Sequence, residues 1–318
     1  LGRAGLEKAC SCPLELYGKL AVEMAFESAS APIPAWWVRA ISRLPLTALH
    51  VLSRGFAFMA LKVFPYRPRV IDGNLALAFP ELDLAARERI KRDYYRGYGD
   101  VMVEIIKSAT IDGAELDRRM ELVGLEAVQA TLASGTPALL LAAHQCNWEW
   151  ILLAISRRLG YPFDVAYKPL KNPWADREML AVRSSFGARL IPAEKLTRDV
   201  LARRRVPRLI ALVADQEPVD SDRRHWTRFL NRESAFFMGG EVLVQRLGYP
   251  SFFCAIERIG RGRYRVRFET LSQADENLGK GEFTERYARR VERQIREAPA
   301  DWPWSHKRWR LQAPTASD

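Results

Sequence analysis

From Ala138 onward, short and wholly apolar runs alternate with stretches of helical periodicity, and this alternation limits the possible folds more than any other feature of the chain. Ala138–Ala142 is too short for a helix and lacks the polar alternation of a half-exposed strand, so it reads as a strand covered on both faces. Asn147–Leu159 then reads as a helix, Asp164–Tyr167 as a strand and Trp174–Phe186 as a helix. Further strands are expected at Ala188–Ile191, Arg208–Ala214, Pro250–Glu257 and Tyr264–Glu269, with helical stretches near 194–205 and 239–247. The pattern predicts an α/β fold with a largely parallel central sheet flanked by helices. Gly260-Arg261-Gly262 splits the last two strands and marks a hairpin. Residues 81–133 and 282–298 read as helices outside the sheet. With no internal repeat, low-complexity tract or linker, one domain with a helical amino-terminal layer is preferred over two.

That layer carries a location signal. Residues 35–64 place Trp36, Trp37, Ile41, Leu44, Leu52, Phe56 and Met59 at roughly helical spacing, with Pro45 kinking the run. Arg39, Arg43, Arg54 and Lys62 interrupt it, so no span of about 18 predominantly apolar residues is expected. Two readings fit: an amphipathic pair lying in the membrane interface, or helices packed on the core. The adjacent indoles favour the first, because indole partitions to the headgroup layer. Residues 1–34 lack the layout of a secretory signal and form an extension without an assigned role; residues 312–318 are a short tail.

A net charge of +11, from 49 Lys and Arg against 38 acids, predicts attraction to anionic partners without choosing among them. The four cysteines are too sparse and irregular for a disulfide framework or a zinc site, which fits a reducing compartment. No metal site is expected, and no phosphate-cradling, dinucleotide-binding, nucleophile-elbow or zincin motif occurs.

Two strands end in residues able to do chemistry: the first runs into His144, and Arg208–Ala214 runs into Asp215-Gln216. Ligands in open parallel sheets bind beyond the carboxyl ends of the strands, so both fall where a site belongs. In His144-Gln145-Cys146-Asn147-Trp148-Glu149 an imidazole and a carboxylate lie five residues apart across a strand-to-helix turn. Folded back, Glu149 would fix the ring tautomer and let the other nitrogen take a proton from a hydroxyl. Asn147 reads as the helix N-cap, with Glu149 in the first turn. The bland alternative is a capped helix beside an ordinary loop histidine. Cys146 is either a nucleophile next to His144 or a small buried residue. His50 reads as a packing residue, His225 as surface, and His306 as structural or phosphate-facing. Phe236, Phe237, Met238, Phe252 and Phe253 either line an acyl groove or belong to the core.

Four segments in order resemble the bacterial lipid A biosynthesis acyltransferases, the late lauroyl/myristoyl transferases of the lysophospholipid acyltransferase superfamily, whose wider relatives include mycobacterial phosphatidylinositol-mannoside acyltransferases. They are Asn74 through Phe79-Pro80-Glu81-Leu82, the H-x4-E run from His144 to Glu149, Ala214-Asp215-Gln216, and Trp302 through Trp309. The resemblance covers roughly residues 35–310, and each segment alone is weak; their order is what carries it. It implies a glycerolipid acyltransferase-like fold over 65–311, with 35–64 membrane-associated. The implied reaction moves a fatty acyl chain from a thioester on acyl carrier protein or coenzyme A to a hydroxyl of a lipid A precursor, without cofactors. A glycolipid or lysolipid acceptor of another kind is the alternative. The implied base is His144, with Glu149 as its partner; Asp215, Arg183 and Asn147 are implied to bind substrate. The implied partners are an anionic glycolipid and a membrane surface, not nucleic acid, and the implied location is the cytoplasmic face of the inner membrane. Arg203-Arg204-Arg205, Arg223-Arg224 and Lys307-Arg308-Arg310 are candidate contacts for these acidic partners, or simply a solvated basic face. A non-catalytic binder of nucleic acid, argued from charge alone, is the remaining class, but no nucleic-acid module supports it.

Overall fold

A computed structural model describes residues 34–218 and 223–313, so nearly all of the extension over 1–34 and the tail over 312–318 lies outside the described residues. The amino-terminal layer contains α1 (Trp36–Ser42), α2 (Leu46–Phe58), α3 (Pro68–Ala78), α4 (Leu84–Lys107) and α5 (Gly113–Arg119). Next come β1 (Met120–Val123), α6 (Leu125–Ala133), β2 (Ala138–Ala142), α7 (Trp148–Arg158), β3 (Phe163–Tyr167), α8 (Pro173–Arg183), β4 (Arg189–Pro192), α9 (Leu196–Ala202) and β5 (Leu209–Val213). The remainder is β6 (Arg224–Phe229), β7 (Arg232–Phe237), α10 (Gly239–Leu247), β8 (Ser251–Gly260), β9 (Arg263–Ser272) and α11 (Glu282–Glu297).

Seven strands form one sheet in the order β1-β9-β8-β2-β5-β3-β4. Every pairing is parallel except β8 with β9, the hairpin expected at Gly260-Arg261-Gly262. The fold is therefore α/β with a mostly parallel sheet flanked by helices. All five residues of β2 are buried, as the unbroken apolar run requires of a strand covered on both faces. Successive side chains alternate between two cores: Ala138, Leu140 and Ala142 enter one, and Leu139, Leu141 and Ala143 the other. Four of these helices, α4, α5, α7 and α8, are started by a capping side chain. Asp83 caps α4 by accepting from Ala86 N at 2.7 Å, and Asn172 caps α8 ahead of Pro173.

Three features depart from the sequence reading. Met120–Val123 is an edge strand inside a region read as helical; four residues are fewer than any periodicity can register. Arg224–Phe229 and Arg232–Phe237 form a separate antiparallel pair, turned at Leu230-Asn231, both of which have positive φ. Finally, α2 continues through a π-helical turn over Met59–Val63, making one helix of 18 residues from Leu46 to Val63, long and apolar enough to cross a membrane by length and composition. Arg54 and Lys62 do not break it, because both are exposed while Leu46, Leu49, Ser53 and Ala57 pack inward.

Candidate active site

Strand register creates the central pair. β2 and β5 are adjacent and parallel, with Ala142 opposite Val213, so the residues two beyond each pairing, His144 and Asp215, emerge side by side. Nδ1 of His144 lies 2.7 Å from Oδ1 of Asp215, and the His144 backbone N–H donates to Oδ2 at 3.1 Å. Trp302 Nε1 donates to the same Oδ2 at 2.9 Å. From the same core as Trp302, Tyr287 of α11 ties the two strand ends together: its hydroxyl donates to Ala142 O at 2.8 Å and accepts from Ala214 N at 3.2 Å. The Asp215 side chain has no solvent exposure, whereas the His144 side chain keeps 24% of its own. The pair thus has a sealed carboxylate and an accessible ring.

Burial opposes the charged imidazolium, but the Asp215 charge and hydrogen bond outweigh it and raise His144 above its ordinary value of 6.5. Burial likewise disfavours the Asp215 carboxylate, yet His144 and the Trp302 N–H hold it below its ordinary 3.8. An ionised Asp215 only accepts hydrogen bonds, so Nδ1 carries the ring hydrogen and Nε2 is left with a free lone pair. This is the tautomer a general base needs.

The expected partnership between His144 and Glu149 is replaced by two separate pairs. Glu149, in the first turn of α7, receives Arg183 in a two-pronged bond, Nε to Oε2 at 2.8 Å and Nη2 to Oε1 at 2.6 Å. Trp148 Nε1 also donates to Glu149, at 3.0 Å. Glu149 acts on His144 only through space, and Arg183 opposes it there. The reason is directional: the carboxylate points from the helix start toward the end of α8, where Arg183 sits, while Asp215 already occupies Nδ1.

Asn147 caps α7 as expected, accepting from Trp150 N at 3.0 Å. Its amide does not face the reacting centre, however; Nδ2 donates at 2.8 Å to Glu104 of α4, and the residue is fully buried. Glu104 also accepts from Tyr264 at 2.6 Å and pairs with His50 Nε2 at 2.9 Å. This buried hub holds the 143–147 turn from behind, and His50 belongs to it rather than merely filling space. Cys146 adopts a positive φ of 49° inside that turn, its N–H donating to Asp301 O at 3.0 Å. Burial pushes its thiol well above the ordinary range, so the nucleophile reading of Cys146 fails. Gln145 is spent on Gln294 in α11.

His306 lies close enough to interact electrostatically with both Asp215 and His144, and burial lowers its pKa, keeping it neutral. Arg308 is fully buried; Nε donates to Asp215 O at 2.8 Å, and the guanidinium stacks on Phe236, 4.7 Å from the ring centre. Burial lowers it to about 10, which leaves it charged at neutral pH. Of the two readings of the aromatic set, core holds for four members: neighbouring Phe252 and Phe253 point into opposite cores, Phe236 and Met238 are buried, and only Phe237 is exposed. Arg203 is tied to Asp164 and Asp199, and Arg310 to Glu217. His225 pairs with Glu285 at 3.0 Å. Among the described residues, no group of three His, Cys, Asp or Glu side chains could hold a metal ion.

The model of the family described as bacterial lipid A biosynthesis acyltransferase matches residues 29–311. The chain belongs to this family. It is an acyltransferase, of a family that acts on lipid A or related glycolipids. A phosphatidylinositol mannoside acyltransferase of Mycobacterium tuberculosis is 25% identical over 255 residues, which is 76% of this chain and 77% of that one. A lipid A biosynthesis acyltransferase of Haemophilus influenzae is 28% identical over 120 residues, covering 37% of this chain and 36% of its own. Within the acyltransferase, Glu104 and Tyr287 are the positioning residues that sequence reasoning missed. Neither lies in a motif, and only knowing which elements pack together brings them to the site. Trp302 stood in a motif, but nothing in the spacing linked it to Asp215.

Proposed function

We propose that this acyltransferase moves a fatty acyl group from a thioester, on acyl carrier protein or coenzyme A, to a hydroxyl of a lipid A precursor. The observation that carries the reading is the His144–Asp215 pair, with the second ring nitrogen open to a substrate. Nε2 takes the hydroxyl proton as the alkoxide oxygen bonds to the thioester carbon, and Asp215 stabilises the imidazolium that forms. The tetrahedral intermediate then collapses, its carbon–sulfur bond breaks, and the imidazolium returns the proton to the departing thiolate. The products are an ester and a free thiol. Arg183, held in place by Glu149, supplies positive charge beside the centre for the transient oxyanion. The net charge of +11 favours acidic partners: a carrier protein, a phosphorylated glycolipid, and the anionic cytoplasmic face of an inner membrane.

The test is incubation of purified protein with the precursor and a series of acyl donors, read by mass. The expected product is heavier by one acyl group in ester linkage, and His144→Ala abolishes it. Undiminished turnover in His144→Ala contradicts the proposal. A second reading keeps the chemistry and changes the acceptor to another glycolipid, such as a mannosylated one. It is favoured by the much longer match to the mannoside acyltransferase, and a parallel assay with that acceptor separates the two.

A further inference from the structure

The amino-terminal layer holds a cavity of its own. Between α2 and α4, next to the turn joining β8 and β9, is a cavity of about 630 Å³. Arg54, Ala57, Phe58 and Leu61 supply one wall, spaced i, i+3, i+4 and i+7 on one face of the helix that starts at Leu46. Arg92 and Arg96 come from α4, and Arg261 from the hairpin turn. None of these residues belongs to the His144 centre.

The charge balance of this cavity is uneven. Four guanidinium groups face one carboxylate, Asp100, an excess of three positive charges. Asp100 is already committed to Arg261, which donates from Nε at 2.8 Å and Nη2 at 2.6 Å, and to the Ser53 hydroxyl. Arg96 reaches Asp93 only at 3.4 Å. Among the described residues no acid pairs with Arg54 or Arg92. Like charges gathered around apolar walls repel one another unless an anion joins them, and the low-dielectric walls focus their field.

The surroundings select the kind of anion. Phe58 both lines the cavity and is 61% exposed; Val51, Leu52 and Phe56 carry the apolar surface on around the outward side of the helix. A free phosphate would use the arginines and leave that surface uncovered, whereas a lipid uses both: a phosphate among the arginines and acyl chains against the phenylalanines. We propose that this cavity is a headgroup site for an anionic phospholipid of the bilayer, distinct from the acyl-transfer centre. It docks α2 on the membrane with its α4-packed side toward the protein. The inference does not depend on which acceptor the enzyme acylates.

The experiment uses the full chain and vesicles of phosphatidylcholine with or without about 30 mol% phosphatidylglycerol, an anionic surface of physiological order. Sedimentation with vesicles is compared for the wild type, the cavity variant Arg54→Ala/Arg92→Ala, and the charge-matched control Arg118→Ala/Arg246→Ala. All four side chains are exposed, so the fold is retained, and a thermal melt checks this. The cavity variant is expected to lose about thirtyfold in affinity for the anionic vesicles, from about 1 kcal/mol for each of its two arginines at such a surface, and the control less than about threefold. Equal losses in the two variants mean diffuse charge attraction and overturn the site. In parallel, the cavity variant's KM for detergent-dispersed acceptor is expected to match the wild type. A raised KM would assign the cavity to the acceptor's own phosphate and equally overturn the proposal.

Discussion

Replacing Asp215 by Asn changes one atom and should nearly abolish transfer, for a reason readable from three hydrogen bonds. Oδ2 accepts from two donors, His144 N and Trp302 Nε1, while Oδ1 faces only Nδ1 of His144. An amide keeps its oxygen where two donors converge, because the reverse orientation sets an NH2 against two N–H groups. The NH2 then faces Nδ1, which must accept, and the ring hydrogen moves to Nε2. The nitrogen that should take the hydroxyl proton is thereby blocked. Losing a correctly placed general base costs about 10²–10⁴ in kcat/KM, roughly 3–5.5 kcal/mol in the barrier. The pH profile supplies a second readout. The neutral ring is the active form and its pKa is raised, so wild-type kcat/KM climbs with pH to a plateau, with a midpoint above 6.5. In Asp215→Asn the burial that lowers the pKa remains and the carboxylate that raises it is gone, so the residual activity has its midpoint lower. The assay is initial-rate acyl transfer from about pH 5 to 9, a range that brackets the imidazole titration. A variant within about threefold of wild type, or a midpoint that does not move, rules out this role for Asp215.

Other outcomes follow from the same geometry. The pair's contribution to stability has two limits: the raised His144 contributes fully below 6.5 and loses this as pH rises through its folded value, while the lowered Asp215 contributes above 3.8 and loses this as pH falls. The difference in Tm between wild type and Asp215→Asn should therefore be widest between those values, as differential scanning fluorimetry across pH can read. Glu149→Gln and Arg183→Ala should each lower kcat/KM, and the double variant should lose little more than the worse single one, because the forked pair works as a unit; a double-mutant cycle measures this. Cys146→Ala should retain transfer within about threefold and cost about 1 kcal/mol of stability, since the thiol is buried filler in the turn. Glu104→Ala strands three buried partners, Asn147, Tyr264 and His50, and should cost about 3 kcal/mol or more, lowering Tm by roughly 5–10 °C.

The sheet was legible because fully apolar runs such as Ala138–Ala142 have few other uses, and the placement of His144 and Asp215 beyond two strand ends followed from them. What the sequence withheld was adjacency. Nothing in the spacing says that β2 lies beside β5, yet that register puts Asp215 rather than Glu149 on the ring. Proximity along the chain favoured Glu149, and the side-chain direction at the start of α7 decided against it. Asn147 was readable as a cap because capping is local, whereas its bond to Glu104 spans 43 residues and is a product of packing α4 behind the turn. The aromatic set was open between groove and core for a related reason: Phe252 and Phe253 are neighbours in sequence but, on a strand, face opposite cores.

A sealed carboxylate fixes the hydrogen on one nitrogen of His144 and leaves the other free to act. Nitrogen-15 NMR of histidine-labelled protein measures this directly, since the chain has only four histidines and His144→Gln identifies the signal. The expected result is the Nδ1–H tautomer at neutral to alkaline pH and a titration midpoint above 6.5. An Nε2–H tautomer, or a midpoint below that value, would contradict it.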